Sequence, residues 1–342
     1  MEQEDIKEIF FSAISAVDPA TIVTPYCNRI ESIYKERRCR QLYVAGFGKA
    51  AVPMAVGVSN AIGNLVTEGI VIAKYGHNKI KRAEMTSKIA IREAAHPLPD
   101  ENGISATREI AKLLKKADKN TLVVCLISGG ASALLVMPYG GITLSQKKDV
   151  TRMLLNAGAT IDELNTVRKH ISEVKGGKLA NIAYPASIVS LVLSDVIGDR
   201  VDVIASGPTS PDKSTYQDAI EVLNKYGLTY CVPDKVLEVL KKGARGIMHE
   251  TPKEGSAVFE KVENIVIGSN KIALCAAKEK ASTLGYRTQL LSSSITGESR
   301  LAGRLLAQKA KDFFSTLHGL KTEKVCLVSG GETTVAVKGS GI

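Results

Sequence analysis

The sequence contains no tryptophan, and aromatic residues fill only 5% of its 342 positions. A surface that stacks nucleic-acid bases needs aromatic rings. Despite a net charge of +10, the composition therefore argues against nucleic acid as a partner. Lysines and arginines are dispersed through helix-like segments rather than gathered in one tract, which reads as a solvated basic surface with some attraction for small anions. The six cysteines include no Cys-x-x-Cys pair. Cys125 and Cys326 lie inside apolar runs, where a reduced thiol behaves as a small hydrophobe. Neither a zinc site nor a disulfide framework is indicated. No uninterrupted apolar run has the length of a membrane span. The opening "MEQEDIKEIFF" has neither the basic nor the apolar region of a signal peptide. A cytoplasmic protein, away from membranes, is expected.

What is present reads as a globular enzyme. Apolar residues make up 44% and charged residues 23%, enough to bury a sizeable core, and the length suits two domains. Up to about Arg38 the pattern predicts one or two helices broken near "DPAT". Strands and helices then alternate: "QLYVAG", a helix in "KAAVPMAVGVSNAIG", "EGIVIAKYG", "SKIAIREA", an amphipathic helix capped by Asp100, "TLVVCLIS" and "SIVSLVLSD". Near-continuous apolar strands at this spacing predict a mostly parallel sheet with right-handed crossovers. "DKVLEVLKKGARG" predicts a helix closed by Gly243. The polar stretch 244–261 reads as a linker. The alternation restarts with "ENIVIGSN", a helix ending before Gly285, the strand "YRTQLLSSS", a helix from "GESR", and the strands "EKVCLVSGG" and "TTVAVKG". The expected fold is α/β with a Rossmann-like domain over 1–243. A smaller α/β domain is expected over 262–342, incomplete at its C-terminus.

One phrase occurs twice. "VCLISGG" ends at Gly130 and "VCLVSGG" ends at Gly331. A parallel strand ending in Ser-Gly-Gly presents backbone N–H groups and a hydroxyl at the carboxyl edge of a sheet, where α/β proteins bind ligands. Ser128, Gly129 and Gly130 are thus candidate anion ligands, with Gly330, Gly331 and Glu332 as the second copy; a plain tight turn is the competing reading. "AGFGKAA" places Gly46, Gly48 and Lys49 after the first strand. It fits G-x-G-x-x-A, but the next strand ends in Lys74 rather than in the acid that would hold a ribose. Lys49 there suits a phosphate or carboxylate as a point charge. "LSDVIGDRVD" puts Asp195 at a strand end and Asp199 in the following loop. Two such carboxylates can hold Mg²⁺ or accept a hydroxyl proton, though acids also cap turns. "DELNTVRKHISEVKGGKLA" carries Arg168, Lys169 and Lys175, cations able to clamp an anionic substrate or phosphates. His170 shows no acid partner nearby in sequence. His96, between Ala95 and Pro97, reads as a cleft wall or a rigid connection.

Together "GFGKAA", "HPLPDENG", "LISGGASALL", "LNTVRKHISEVKGGKLA", "LVLSDVIGDRVDVIASGPTSPD" and "VSGGETTVAVKGSG" resemble the class II glycerate kinases, in order over nearly the whole chain. The resemblance implies two α/β domains and transfer of the γ-phosphoryl group of ATP to the 2-hydroxyl of D-glycerate, with Mg²⁺. It places Lys49 in contact with substrate or phosphate, Asp195 and Asp199 in the family's aspartate motif, and Arg168 in its basic helix. It also implies a Gly-Gly-Arg-Asn-Gln-Glu segment beyond "VKGSG". Since that segment does not follow here, weak or no activity is expected of the chain as written. Two other readings compete: an NAD(P)-dependent hydroxypyruvate reductase and a non-catalytic binding protein for anions or sugar phosphates. A homodimer is left open.

Overall fold

The structure, a computed structural model, describes residues 2–77, 85–316 and 324–335. The chain forms two compact units. One comprises Pro19–Val196 and Arg200–Ile267; the other comprises Met1–Asp18, Ile197–Asp199 and Gly268–Ile342.

In the first, larger unit, α2 (Thr24–Glu36) precedes β1 (Gln41–Phe47), α3 (Ala51–Ile62), β2 (Glu68–Lys74), β3 (Ile89–Ala94), α4 (Glu101–Leu114), β4 (Thr121–Ser128) and the short α5 (Ala131–Leu134). After these come α6 (Leu144–Asn156), α7 (Ile161–His170), α8 (Lys178–Ala183), β5 (Ser187–Leu193), α9 (Tyr216–Lys225), α10 (Asp234–Ala244) and β6 (Val262–Gly268). The helix preceding them all, α1 (Glu2–Ser15), belongs to the other unit. The sheet order is β3-β2-β1-β4-β5-β6, and the pairings of β1 with β2 and β4, β2 with β3, and β4 with β5 are all parallel.

The period-two pattern of the strands builds two cores. Tyr43, Ala45 and Phe47 of β1 and Val123, Cys125 and Ile127 of β4 face one side, against Ile110, Leu113 and Leu114 of α4. Leu42, Val44, Leu122, Val124 and Leu126 face the other, against α2 and α3. A sheet covered on both faces needs strands apolar at every position, and β4 is buried along its whole length. Asp100 caps α4 as expected, its carboxylate accepting from the Gly103 N–H at 2.9 Å. A third cluster joins α6, α7, α9 and α10 through Val150, Leu154, Val167, Tyr216, Leu223 and Leu240.

Three expectations are corrected. Gly243 does not end α10. It lies inside the helix under the Tyr216 ring, where a Cβ would stand 2.2 Å from Cγ, and the left-handed residue beyond the helix is Gly246 at φ +71°. The segment "ENIVIGSN" does not open the second unit: β6 closes the first sheet beside β5. The stretch 244–261 is fastened to the first unit, since Pro252 accepts from the Asp212 N–H at 3.0 Å and Lys261 from the Ile188 N–H at 2.9 Å. These bonds join residues 40 to 73 positions apart, beyond the reach of local patterning.

The second unit joins α1 with α11 (Asn270–Thr283), β7 (Arg287–Ile295), α12 (Ser299–Thr316) and β8 (Val325–Gly331). β7 and β8 form a parallel pair, and Ile9 of α1 is buried with Leu274, Ala277, Ala281 and Val328. The predicted break after α1 is present, and Gly285 follows α11 at φ +82°. The predicted strand "TTVAVKG" extends past Val335, outside the described residues.

Candidate active site

β1 is flanked by β2 on one side and β4 on the other. The chain leaving β1 and the chain leaving β4 therefore turn in opposite directions, which opens a crevice at the carboxyl edge of the sheet. Four predicted groups meet at this edge. After β1, the Lys49 N–H donates to the Gly129 carbonyl at 2.8 Å, and the Ala50 N–H donates to Ser128 Oγ at 3.0 Å. The turns after β1 and β4 thus lock each other. Gly48, at φ +133°, is required there: a Cβ would stand 2.2 Å from Ser128 Oγ and 2.6 Å from its carbonyl oxygen. Gly46 lies inside β1 instead of the turn, and a Cβ on it would press on Val71 of β2 at 2.9 Å.

The Ser-Gly-Gly turn is ringed by side chains from other strand ends. A Cβ at Gly129 would stand 2.1 Å from Asp195 Oδ2, and one at Gly130 (φ +82°) would stand 2.9 Å from the His96 ring and 3.2 Å from Lys49 Cγ. The two glycines let an acid, an imidazole and the aliphatic stem of Lys49 approach one backbone turn. Burial, then the charges of Lys49 and Lys74, lower the pKa of His96, against a weaker pull from Asp195. His96 is therefore neutral near pH 7 and available as a hydrogen-bond partner. His96, expected to be a cleft wall or a rigid connection, lies against the turn itself; its signal is its place after a strand and before Pro97 and Pro99. Asp199 sits in a left-handed turn at φ +52°, in a segment that groups with the smaller unit.

The basic segment divides. Lys169 is buried and pairs with Asp212 at 3.0 Å, so its charge is spent inside the fold. His170, fully buried, has the acid that the local sequence did not show: its Nε2 lies 2.9 Å from Glu250 Oε1. Burial would raise the Glu250 pKa, but bonds from His170 and from the Tyr216 and Thr251 N–H groups hold it down at about 2. Arg168 and Lys175 have no carboxylate among the described residues. Lys175 is fully buried, and its ammonium donates to the Ala205 carbonyl at 3.1 Å.

The second copy of the repeat folds differently. Gly330 and Gly331 remain within β8, and Gly331 pairs with Ile295 of β7. A Cβ on Gly331 would stand 2.0 Å from the Ile295 carbonyl oxygen, and one on Gly330 would stand 2.5 Å from Asn270 Oδ1. Close strand and helix packing accounts for both glycines within this unit. Glu332, just beyond the strand, is exposed.

A parallel sheet with a lysine turn, a Ser-Gly-Gly turn and a strand-end aspartate at its switch point defines a doubly wound α/β protein with a crevice at the carboxyl edge of its sheet. The family model described as a domain of unknown function (DUF4147) matches residues 5–241, and the chain belongs to this family, in which glycerate kinases are its relatives. Over 335 residues it is 40% identical to the D-glycerate 2-kinase of Thermotoga maritima, covering 98% of this chain and 74% of that protein. A putative hydroxypyruvate reductase of Agrobacterium vitis is 39% identical over 336 residues, 97% of this chain and 70% of that one. The crystal structure of glycerate kinase from Thermotoga maritima superposes with a TM-score of 0.83 at 38% identity, covering 99% of this chain and 76% of the other. Among the described residues, no helix is long and apolar enough to cross a membrane.

Proposed function

We propose that the chain is a glycerate 2-kinase, which transfers the γ-phosphoryl group of ATP to the 2-hydroxyl of D-glycerate. The observation that carries the reading is the switch-point crevice, with Lys49, the Ser128–Gly130 turn and Asp195 gathered in a chain 40% identical to a D-glycerate 2-kinase. In the reaction the 2-hydroxyl oxygen bonds to the γ-phosphorus, the bond from that phosphorus to the β,γ-bridging oxygen breaks, and the hydroxyl proton leaves. Little covalent chemistry is asked of the protein, so positioning and charge stabilisation dominate. Backbone N–H groups of the glycine turn and the Lys49 ammonium would offset the charge on the phosphoryl oxygens. Asp195 receives the hydroxyl proton or holds the metal.

The donors fit Mg²⁺ in one specific way. No group of three or more His, Cys, Asp or Glu side chains placed to hold a metal ion occurs among the described residues. Mg²⁺ bound with a nucleotide needs only one or two carboxylates, since phosphates and waters complete its shell. Asp195, exposed at the end of β5, would be such a carboxylate. When bound, the ion held by Asp195 would supply positive charge against the phosphate oxygens. Replacing Asp195 by Asn separates its two roles. A lost ligand raises the Mg²⁺ concentration needed for half-maximal rate, whereas a lost base lowers kcat by about 10²-fold or more at every Mg²⁺ concentration.

The deciding experiment follows ATP, Mg²⁺ and D-glycerate by ³¹P NMR. With the Gly-Gly-Arg-Asn-Gln-Glu segment that the resemblance implies in place, a 2-phosphoglycerate signal is expected, and Lys49→Ala should lower its rate by about 10²-fold or more. A 3-phosphoglycerate product would retain the kinase and overturn the regiochemistry. The reductase reading rests on the G-x-G-x-x-A fit of "GFGKAA" and on the name of the Agrobacterium vitis relative. Against it, β2 ends in Lys74 where a dinucleotide site places an acid. NADPH consumption on hydroxypyruvate without phosphoryl transfer would reverse that judgement.

A further inference from the structure

Three cations gather in the larger unit without a carboxylate among the described residues. Lys147 of α6 and Lys175, which follows α7, are 4% and 0% exposed. Arg168 is half-buried on α7. Their charges reach one another: that of Arg168 acts on Lys147, and those of Lys147 and Arg168 both act on Lys175. The fold does not lack acids for such positions, since it buries Asp212 against the adjacent Lys169.

The neighbouring polar atoms are equally unspent. Asn165, one helical turn before Arg168, is 3% exposed. Its Oδ1 accepts from Ser206 Oγ at 2.9 Å, while its Nδ2 donates to nothing. Lys175 donates to the carbonyl of Ala205, the residue before Ser206, so the amide and the ammonium meet the same backbone corner. Only one of the three ammonium protons is used there. Ser132, on α5 just beyond Gly130, stands 3.4 Å from Ser206 Oγ. The cluster therefore adjoins the Ser-Gly-Gly turn through two hydroxyls. Burying cations without a counter-charge is costly, and leaving a buried amide N–H unpaired adds to that cost.

We propose that Lys147, Arg168, Lys175 and Asn165 Nδ2 form a closed anion site that takes the carboxylate of the hydroxy-acid substrate. Resting on the kinase reading, this deepens it by naming what fixes the acceptor. A carboxylate is preferred to a nucleotide phosphate because Lys175, Asn165, Lys147 and Ser206 are all nearly closed to solvent, which disfavours the bulkier triphosphate. The guanidinium fork matches a carboxylate by two parallel bonds. The 2-hydroxyl stands on the carbon next to the anchored carboxylate and the 3-hydroxyl one carbon further. The anchor therefore decides which hydroxyl is presented, and it rejects uncharged polyols.

Calorimetric titration of D-glycerate, glycerol and ATP into the full chain tests this, with Lys175→Met and Arg168→Gln alongside. Lys175→Met should weaken D-glycerate by on the order of 10²-fold and leave ATP within about threefold. Without ligand it should melt no lower than the parent protein, because the exchange removes a buried charge and keeps the volume. If Lys175→Met fails to fold, Arg168→Gln, at the more open position, carries the same test. Unchanged D-glycerate binding in a folded variant overturns the proposal, as does loss of ATP in place of D-glycerate, or glycerol binding as tightly as D-glycerate. If the parent protein binds neither D-glycerate nor ATP, the kinase reading fails and acetate becomes the probe. Acetate that raises the Tm of the parent but not of Lys175→Met supports the anion site alone, and no response to acetate overturns it too.

Discussion

A single methyl group distinguishes the two glycines that flank the β1–β4 crevice. At Gly48 it would meet the Ser128 carbonyl oxygen at 2.6 Å, on a residue held at φ +133°. Neither the backbone nor the dihedral can give way, so Gly48→Ala should destabilise the larger unit by about 2–4 kcal/mol, read as a fall in denaturant midpoint. At Gly129 the methyl would meet only the carboxylate end of Asp195, 2.1 Å away, a group on an exposed side chain that can swing. Gly129→Ala should therefore keep the parent's stability to within about 1 kcal/mol. It should nevertheless cut kcat by about tenfold or more, because an acid displaced by an ångström loses its geometry. Equal loss of stability in the two variants would mean that Asp195 is held rigidly and would remove this distinction.

At the scale of elements, α6 and α7 bring a charge where helices of this kind usually place an apolar side chain. Burial, reinforced by the charge of Arg168, lowers the Lys147 pKa from 10.5 to about 8. Between those two values the unfolded chain keeps a proton that the folded chain has shed, so stability rises with pH across that window. The limit is about 3 kcal/mol. Measured against Lys147→Met, the parent should gain stability from pH 8 to pH 10.5 in the absence of ligand, as denaturant titrations at each pH would show. Lys178, also lowered to about 8 by its burial, titrates in both proteins and cancels. A difference that stays flat with pH would mean that Lys147 keeps its proton in the folded state. Elements of this kind were legible to the extent that their signals are local. The strands, the Asp100 cap and the Gly285 stop follow from apolar period and turn chemistry within a few residues. Gly243 misled because a helix stop and a helix–ring contact call for the same residue. The Glu250 partner of His170 and the loss of Lys169 to Asp212 were hidden, since such pairs form across 80 and 43 positions. The repeated Ser-Gly-Gly shows the same limit. Identical text becomes a turn after β4, but in β8 it stays in the strand, because β7 continues to pair through Gly331.

For the molecule as a whole, the order of folding units is not the order of the chain. The segment Met1–Asp18 belongs with the segment Gly268–Ile342, at the opposite end of the sequence. α1 is bound to α11 by the buried Ile9 and by a Lys280–Glu8 ion pair at 2.7 Å, and the Tyr286 hydroxyl beyond α11 donates to Asp5 at 2.9 Å. The two-stranded β7–β8 sheet of that unit is too small to be stable without helices covering it. Removing residues 1–18 should therefore loosen the end of the chain that is remote in sequence. Hydrogen exchange in α11, β7 and β8 should speed up by about tenfold or more, on the order of the 1.4 kcal/mol that one buried aliphatic contact supplies. β1, β4 and β5, whose cores use nothing before Ile22, should exchange as before. Faster exchange spread evenly over both units would show that α1 stabilises the whole chain. No change in α11 would show that its packing on α1 contributes little.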